Sequence, residues 1–198
     1  MGPIVTRGLV IDVLGLKIAE GATDVLSQAS NGRPMLSDSY RITVEDIESS
    51  LRRAKIGRIK AGDVVLFRTG WNQLAEAKDP AGAEPGNPDH SRYLAAEPGI
   101  YLREARYLAV HRPAMVGSDN WALEVLPGVI ESTAFAVHQE LITHYGIRIG
   151  EGMITDGLVE DGLFEFVFMI NPQYAVGATA GNTPPVGFGT PRRLADPQ

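Results

Sequence analysis

Short apolar runs alternate along the chain with turns rich in Gly, Pro, Ser and Asp, a pattern that predicts a mixed α/β domain. Ile4 to Leu16 is rich in Val, Ile and Leu and predicts an opening strand, and residues 19–40 predict a loop. Thr43 starts a helix, because its hydroxyl can cap an exposed N–H while Glu45, Asp46 and Glu48 face the positive end of the dipole. Val44, Ile47, Leu51 and Ala54 share one face of it, and Arg52, Arg53 and Lys55 suit its C-terminal end. Val64 to Phe67 predicts a buried strand that delivers Thr69-Gly70-Trp71 at its end.

Residues 76–92, with three prolines and two glycines, predict a long surface loop. Pro98 suits the first turn of a second helix running to about Val110. Ala114-Met115-Val116 predicts a short strand leading into Gly117-Ser118-Asp119-Asn120-Trp121. A third helix is expected from about Ala134 to Tyr145, stopped by Gly146. Residues 147–149, 163–170 and 173–179 read as strands, and the Pro-, Gly- and Arg-rich stretch after Gly181 as a tail over the surface.

Composition narrows the chemistry. The 198 residues suffice for one domain with a sizeable core. There is no cysteine, so disulfides, thiolate metal sites and cysteine nucleophiles are excluded, and any metal must be held by His, Asp, Glu or backbone oxygen. The net charge of −6 gives no general attraction to nucleic acid or anionic membrane, and neither is expected as a partner. The first residues lack the pattern of a signal peptide and no run is long enough to span a bilayer, so a cytoplasmic location is the expectation.

Seven segments, in order and spacing, resemble the cyclase family of metal-dependent hydrolases, the group that contains the kynurenine-forming formamidases. They are Pro3 to Val13, Ile42 to Asp46, Gly62 to Trp71, Glu97 to Ile100, Val116 to Trp121, Val137 to Leu141 with Gly146-Ile147 and Glu151, and Tyr174 to Ala180. The resemblance covers roughly residues 3 to 190. It implies a single α/β domain over 1–198, a mixed sheet with flanking helices of the swivelling β/β/α type, with 181–198 as a surface tail. The family carries a His-Gly-Gly-Thr-His-x-Asp type motif, and a further His, upstream of the strand matched by Pro3 to Val13. No such motif occurs in these residues. The expectation is therefore an N-terminally truncated family domain carrying only part of a metal site. Asn120 stands where Thr is common, and Gly152-Met153 where Asn-Leu is common.

The resemblance implies His138 and Glu151 as metal ligands, with zinc or manganese as the cofactor. Read from the residues alone, His138 is a structural histidine on an amphipathic helix, and Glu151 is an exposed turn carboxylate nearly as readily as a ligand. Gln139 is a candidate catalytic residue orienting substrate or water, or a solvated side chain. Trp71 and Trp121 are candidate walls for an aromatic substrate, or core residues. Asp119 is expected to hold its turn through backbone hydrogen bonds near the site. His90, His111 and His144 read as non-catalytic, and Asp156, Glu160 and Asp161 as a solvated loop. Two functions remain open: an arylformamidase-like hydrolase of a C–N bond in an aryl formamide or cyclic amide, or a non-catalytic family member acting as an oligomerisation or binding module. A homo-oligomer is expected; in the non-catalytic reading, surface left bare by absent N-terminal strands would favour oligomerisation or poor stability.

Overall fold

The computed structural model describes residues 2–75, 89–130, 135–173 and 176–191. Its frame is a six-stranded mixed sheet in the order β6-β5-β4-β1-β7-β8. β1 (Ile4–Asp12), β4 (Val64–Arg68), β5 (Met115–Ser118) and β6 (Arg148–Gly150) run parallel. β7 (Glu165–Ile170) pairs antiparallel with β1, and β8 (Val186–Phe188) with β7. A two-stranded hairpin, β2 (Leu26–Gln28) with β3 (Pro34–Leu36), lies apart.

The central strands are apolar on both sides because both faces are covered. Leu9, Ile11, Val65, Phe67 and Val116 pack in one buried cluster with residues of α2 (Val44–Arg53), α4 (Leu102–Val110) and α5 (Ala136–His138). Val10, Val64, Leu66, Met115, Phe166 and Phe168 form a second cluster, against which Leu158 and Val159 of α6 (Asp156–Glu160) pack. Towards the β8 edge this cover ends, and Val5, Val167, Met169, Val186 and Phe188 are exposed.

The helix start at Thr43 is as the sequence predicts. Thr43 Oγ1 accepts from the Asp46 amide at 3.1 Å, and Asp46 accepts from the Thr43 amide at 3.0 Å, closing a capping box. The opening apolar run, however, is not one strand. It breaks at Asp12, which accepts from the Gly15 amide at 2.9 Å and so starts α1 (Val13–Glu20). The same carboxylate is held by Arg68 at 3.0 Å and Arg53 at 3.1 Å, which secures the buried charge.

Other expectations need correcting. The loop at 19–40 contains the β2–β3 hairpin. Of the loop expected at 76–92, residues 76–88 lie outside the described residues, and His90 already begins α3 (His90–Ala95). Pro98 does not open the second helix, because residues 97–100 are drawn into bridges, Glu97 with Leu126, Gly99 with Arg41 and Ile100 with Glu124. α4 starts only at Leu102, after Tyr101. Gly99 permits this approach, since a Cβ there would sit 2.5 Å from the backbone of Leu123 and Glu124. The third helix has α-helical form over Ala136–His138 and continues as a π-helix over Gln139–His144. Ala134 lies outside the described residues. Residues 173 and 176–179 are not in a strand; the last strand instead falls within the expected tail, as β8. Asp156 opens a short helix and binds Arg68 at 2.7 Å rather than lying in a solvated loop. Among the described residues, no helix is long and apolar enough to cross a membrane.

Candidate functional site

Three parallel strands end on the same side of the sheet. Thr69 directly follows β4, Asp119 follows β5 and Glu151 follows β6. A crevice beyond the carboxyl ends of parallel strands is where α/β sheets place ligands.

His138 reaches this edge from the end of α5. Its Nδ1 lies 2.8 Å from Glu124 and its Nε2 lies 3.2 Å from Glu151. Glu124 is buried, and its carboxylate also accepts the Val137 and His138 amides, each at 3.2 Å. A negative group facing the first amides of a helix is favourably placed, so Glu124 fixes both the helix start and the ring. Burial disfavours the charged imidazole, but the hydrogen bonds to Glu124 and Glu151 outweigh it and raise its pKa to about 9.

Asp119 accepts from the Thr69 amide at 3.0 and 3.1 Å, the Thr69 hydroxyl at 2.5 Å and the Gly70 amide at 2.8 Å. It thereby ties the end of β5 to the turn after β4. Burial pushes its carboxyl up to about 6 against the pull of Thr69 and Gly70. Glu97 plays a matching part on the next turn, accepting from the Trp121 and Ala122 amides at 3.0 Å each. Burial pushes Glu97 up to about 8, opposed by those two amides and reinforced by the charges of Glu151 and Asp119.

Trp71 is fully buried in a small cluster with Ala29, Met35 and Leu74, so it is a core residue, while Trp121 is half-buried. Their indoles donate to one acceptor, the Tyr93 carbonyl, at 3.3 Å from Trp71 and 2.8 Å from Trp121. Beside Trp121 stands Phe135, edge-to-face with it at 6.4 Å and with His138 at 5.2 Å. Gln139 points elsewhere in the fold: it lines a surface groove with Leu102, Ala136, Glu140, Thr143 and His144, a set that includes neither His138 nor Glu151.

Of the residues singled out from sequence, His138 and Glu151 are thus in contact, and Asp119 holds the neighbouring turn at Thr69-Gly70 rather than its own. Glu97, Glu124 and Phe135 were missed. The Glu97-Pro98-Gly99 segment and the Glu124-to-His138 spacing carried a signal, but pairing across fourteen residues is invisible to local pattern.

The two donors in contact, an imidazole and a carboxylate, are of types that divalent cations accept. An imidazole whose Nδ1 is held by a buried carboxylate presents its Nε2 to a metal, and Glu151 lies beside that nitrogen. Among the described residues, no group of three or more His, Asp or Glu is placed to hold an ion, so these two donors are what the described chain offers.

The Glu97 carboxyl makes stability depend on pH with a definite sign. Its folded pKa of about 8 lies above the ordinary value near ~4.3, so over that interval the folded chain keeps a proton that the unfolded chain releases. Stability from this group is full at low pH and is lost as pH rises towards about 8. Glu97→Gln cannot ionise, and its urea midpoint relative to wild type is expected to rise between pH 5 and pH 8.5. An equal difference at both pH values would show that Glu97 is ionised throughout.

No curated protein sequence matches the chain. Solved structures do. A structure described as a novel cyclase is 27% identical, with a TM-score of 0.70 over 92% of this chain and 52% of its own. Isatin hydrolase A from Ralstonia solanacearum is 17% identical, with a TM-score of 0.65 over 93% of this chain and 60% of its own. A potential metal-dependent hydrolase with cyclase activity is 19% identical, with a TM-score of 0.52 over 93% of this chain and 65% of its own. The chain thus spans about half to two thirds of the length of these structures. The family model described as "Putative cyclase" matches residues 1–125, more than half of the chain, which therefore belongs to the cyclase family.

Proposed function

We propose that the chain is a hydrolase domain in which His138 and Glu151 hold a divalent cation, zinc or manganese, and that its substrate is an aryl formamide or a related cyclic aromatic amide. The observation that carries this reading is the two-sided hold on His138, with Glu124 on Nδ1 and Glu151 on Nε2. Glu124 is buried and already bonded to two amides, so it holds the ring in a fixed orientation. The likeness to isatin hydrolase, of which one structure is bound to the product analogue thioisatinate, supports an aromatic substrate. A bound divalent cation supplies a water of lowered pKa and polarises the amide carbonyl.

The chain's own residues do the rest. Glu124 keeps the Nδ1 proton in place and so leaves Nε2 as the metal-facing atom. Glu97 holds the turn that carries Trp121, and Phe135 stands edge-to-face with both Trp121 and His138, so Trp121 would wall one side of a substrate on that rim. Catalytic zinc generally takes about three protein donors and a water, so at least one donor beyond His138 and Glu151 is required.

A second reading rests on that shortfall: a family member that binds through this surface without turnover. Zinc or manganese titration of the purified chain, with hydrolysis of an N-formyl aryl amine followed in parallel, separates the two. The first reading expects one ion per chain and turnover that disappears with a chelator and returns with metal. An ion bound without turnover selects the second reading, and hydrolysis unaffected by chelation defeats both.

A further inference from the structure

Phe135 is hard to explain as a packing residue. It is 43% exposed and belongs to neither large core cluster. Its backbone is left-handed, at φ 51 and ψ 48, a conformation that L side chains adopt rarely and under strain. A glycine or asparagine would serve that turn with less strain and without exposing a phenyl ring. Strain of this kind persists where something else requires the residue.

The ring's neighbours indicate what that is. Phe135 lies edge-to-face with Trp121, with 6.4 Å between centroids and 73° between planes. It stands in the same relation to His138, at 5.2 Å and 76°. The Phe135 carbonyl accepts from the Gln139 amide at 3.1 Å, so the left-handed turn is locked into the helix that carries His138. An exposed aromatic surface is thereby held at a fixed angle between the indole and the imidazole whose Nε2 meets Glu151.

We infer that Phe135 is a specificity-determining residue, selecting planar aromatic groups over saturated rings of similar size at the His138 edge. This rests on the proposed site but not on its chemistry. Edge-to-face and offset contacts between aromatic rings contribute about 0.5–1.5 kcal/mol beyond the area they bury, which corresponds to a preference of about two- to tenfold. A saturated ring buries a similar area but lacks the positive edge and negative face that such contacts use.

The test is direct binding to the full chain of two neutral probes, N-formylaniline and N-cyclohexylformamide, by ligand-observed NMR. Wild type is expected to prefer the aromatic probe about two- to tenfold. Phe135→Leu keeps apolar bulk and is expected to bring the ratio to about one while retaining affinity for the cyclohexyl probe. Phe135→Gly is expected to bring the ratio to about one with no loss of thermal stability, since glycine accepts the left-handed turn. Metal titration of both variants is expected to match wild type, because Phe135 offers no donor. Equal binding of the two probes by wild type, or a preference that survives Phe135→Leu, overturns the assignment. Loss of metal binding or turnover in wild type counts against the proposed hydrolase and leaves the probe ratio standing as its own measurement.

Discussion

His138→Ala should abolish stoichiometric binding of zinc or manganese, and Glu124→Gln should weaken it by about ten- to a hundredfold while leaving the imidazole in place. The second variant is the more informative. Glu124 touches no proposed ion; it acts through the Nδ1 contact of 2.8 Å and the two amides that it receives. A Gln oxygen in the Oε1 position can still accept from the His138 amide and Nδ1, but the neutral group loses the Val137 amide and the negative charge behind the ring. The imidazole then keeps its place and loses some of its basicity. Isothermal titration of the two variants and wild type gives the comparison. If Glu124→Gln binds metal as wild type does, the carboxylate serves only the start of α5, and the argument for a poised histidine fails. If His138→Ala binds as wild type does, the ion sits elsewhere.

The second large effect is on stability. Asp119→Ala is expected to destabilise the fold by about 3–4 kcal/mol, because three donors buried around it lose their acceptor at once. Those donors are the Thr69 amide and hydroxyl and the Gly70 amide, and both Asp119 and Thr69 are buried. The cost of burying the charge, seen in the upward push of its pKa to about 6, offsets part of the gain and keeps the figure from being larger. For a chain of this size the change corresponds to a melting temperature lower by roughly 10 °C. Asp119→Asn retains one acceptor oxygen and should fall between the two. A shift below about 2 °C for the alanine variant would mean that the β4 and β5 ends are joined by packing alone.

What the sequence disclosed follows from how far each signal reaches. Thr43 and Asp46 are three residues apart, and their capping box was legible because helix starts are written locally. Val64 to Phe67 was legible because an unbroken apolar run between turns has few other uses. Asp12 was not, since its role depends on Arg53 and Arg68, residues supplied by distant elements. Pro98 misled for a similar reason: the bridges to Arg41, Glu124 and Leu126 that hold its neighbours in extended form come from elsewhere in the chain. β8 was hidden because three residues between Pro- and Gly-rich stretches acquire strand character only by pairing with β7.

The site shows the same division. His138 and Glu151 come from the resemblance, and the fold brings the two within 3.2 Å of each other. Glu124 carried no local mark, and a buried carboxylate cannot be told from a solvated one by its letter alone. Trp71 and Trp121 were alike in sequence, whereas the fold seals one in the core and leaves the other at the rim.

Those two indoles share the Tyr93 carbonyl, and they are the only tryptophans in the protein. Intrinsic emission is therefore a built-in optical gauge of how α3 is seated. Anything that lifts that short helix would free both chromophores together, and anything that settles on the rim would perturb one more than the other.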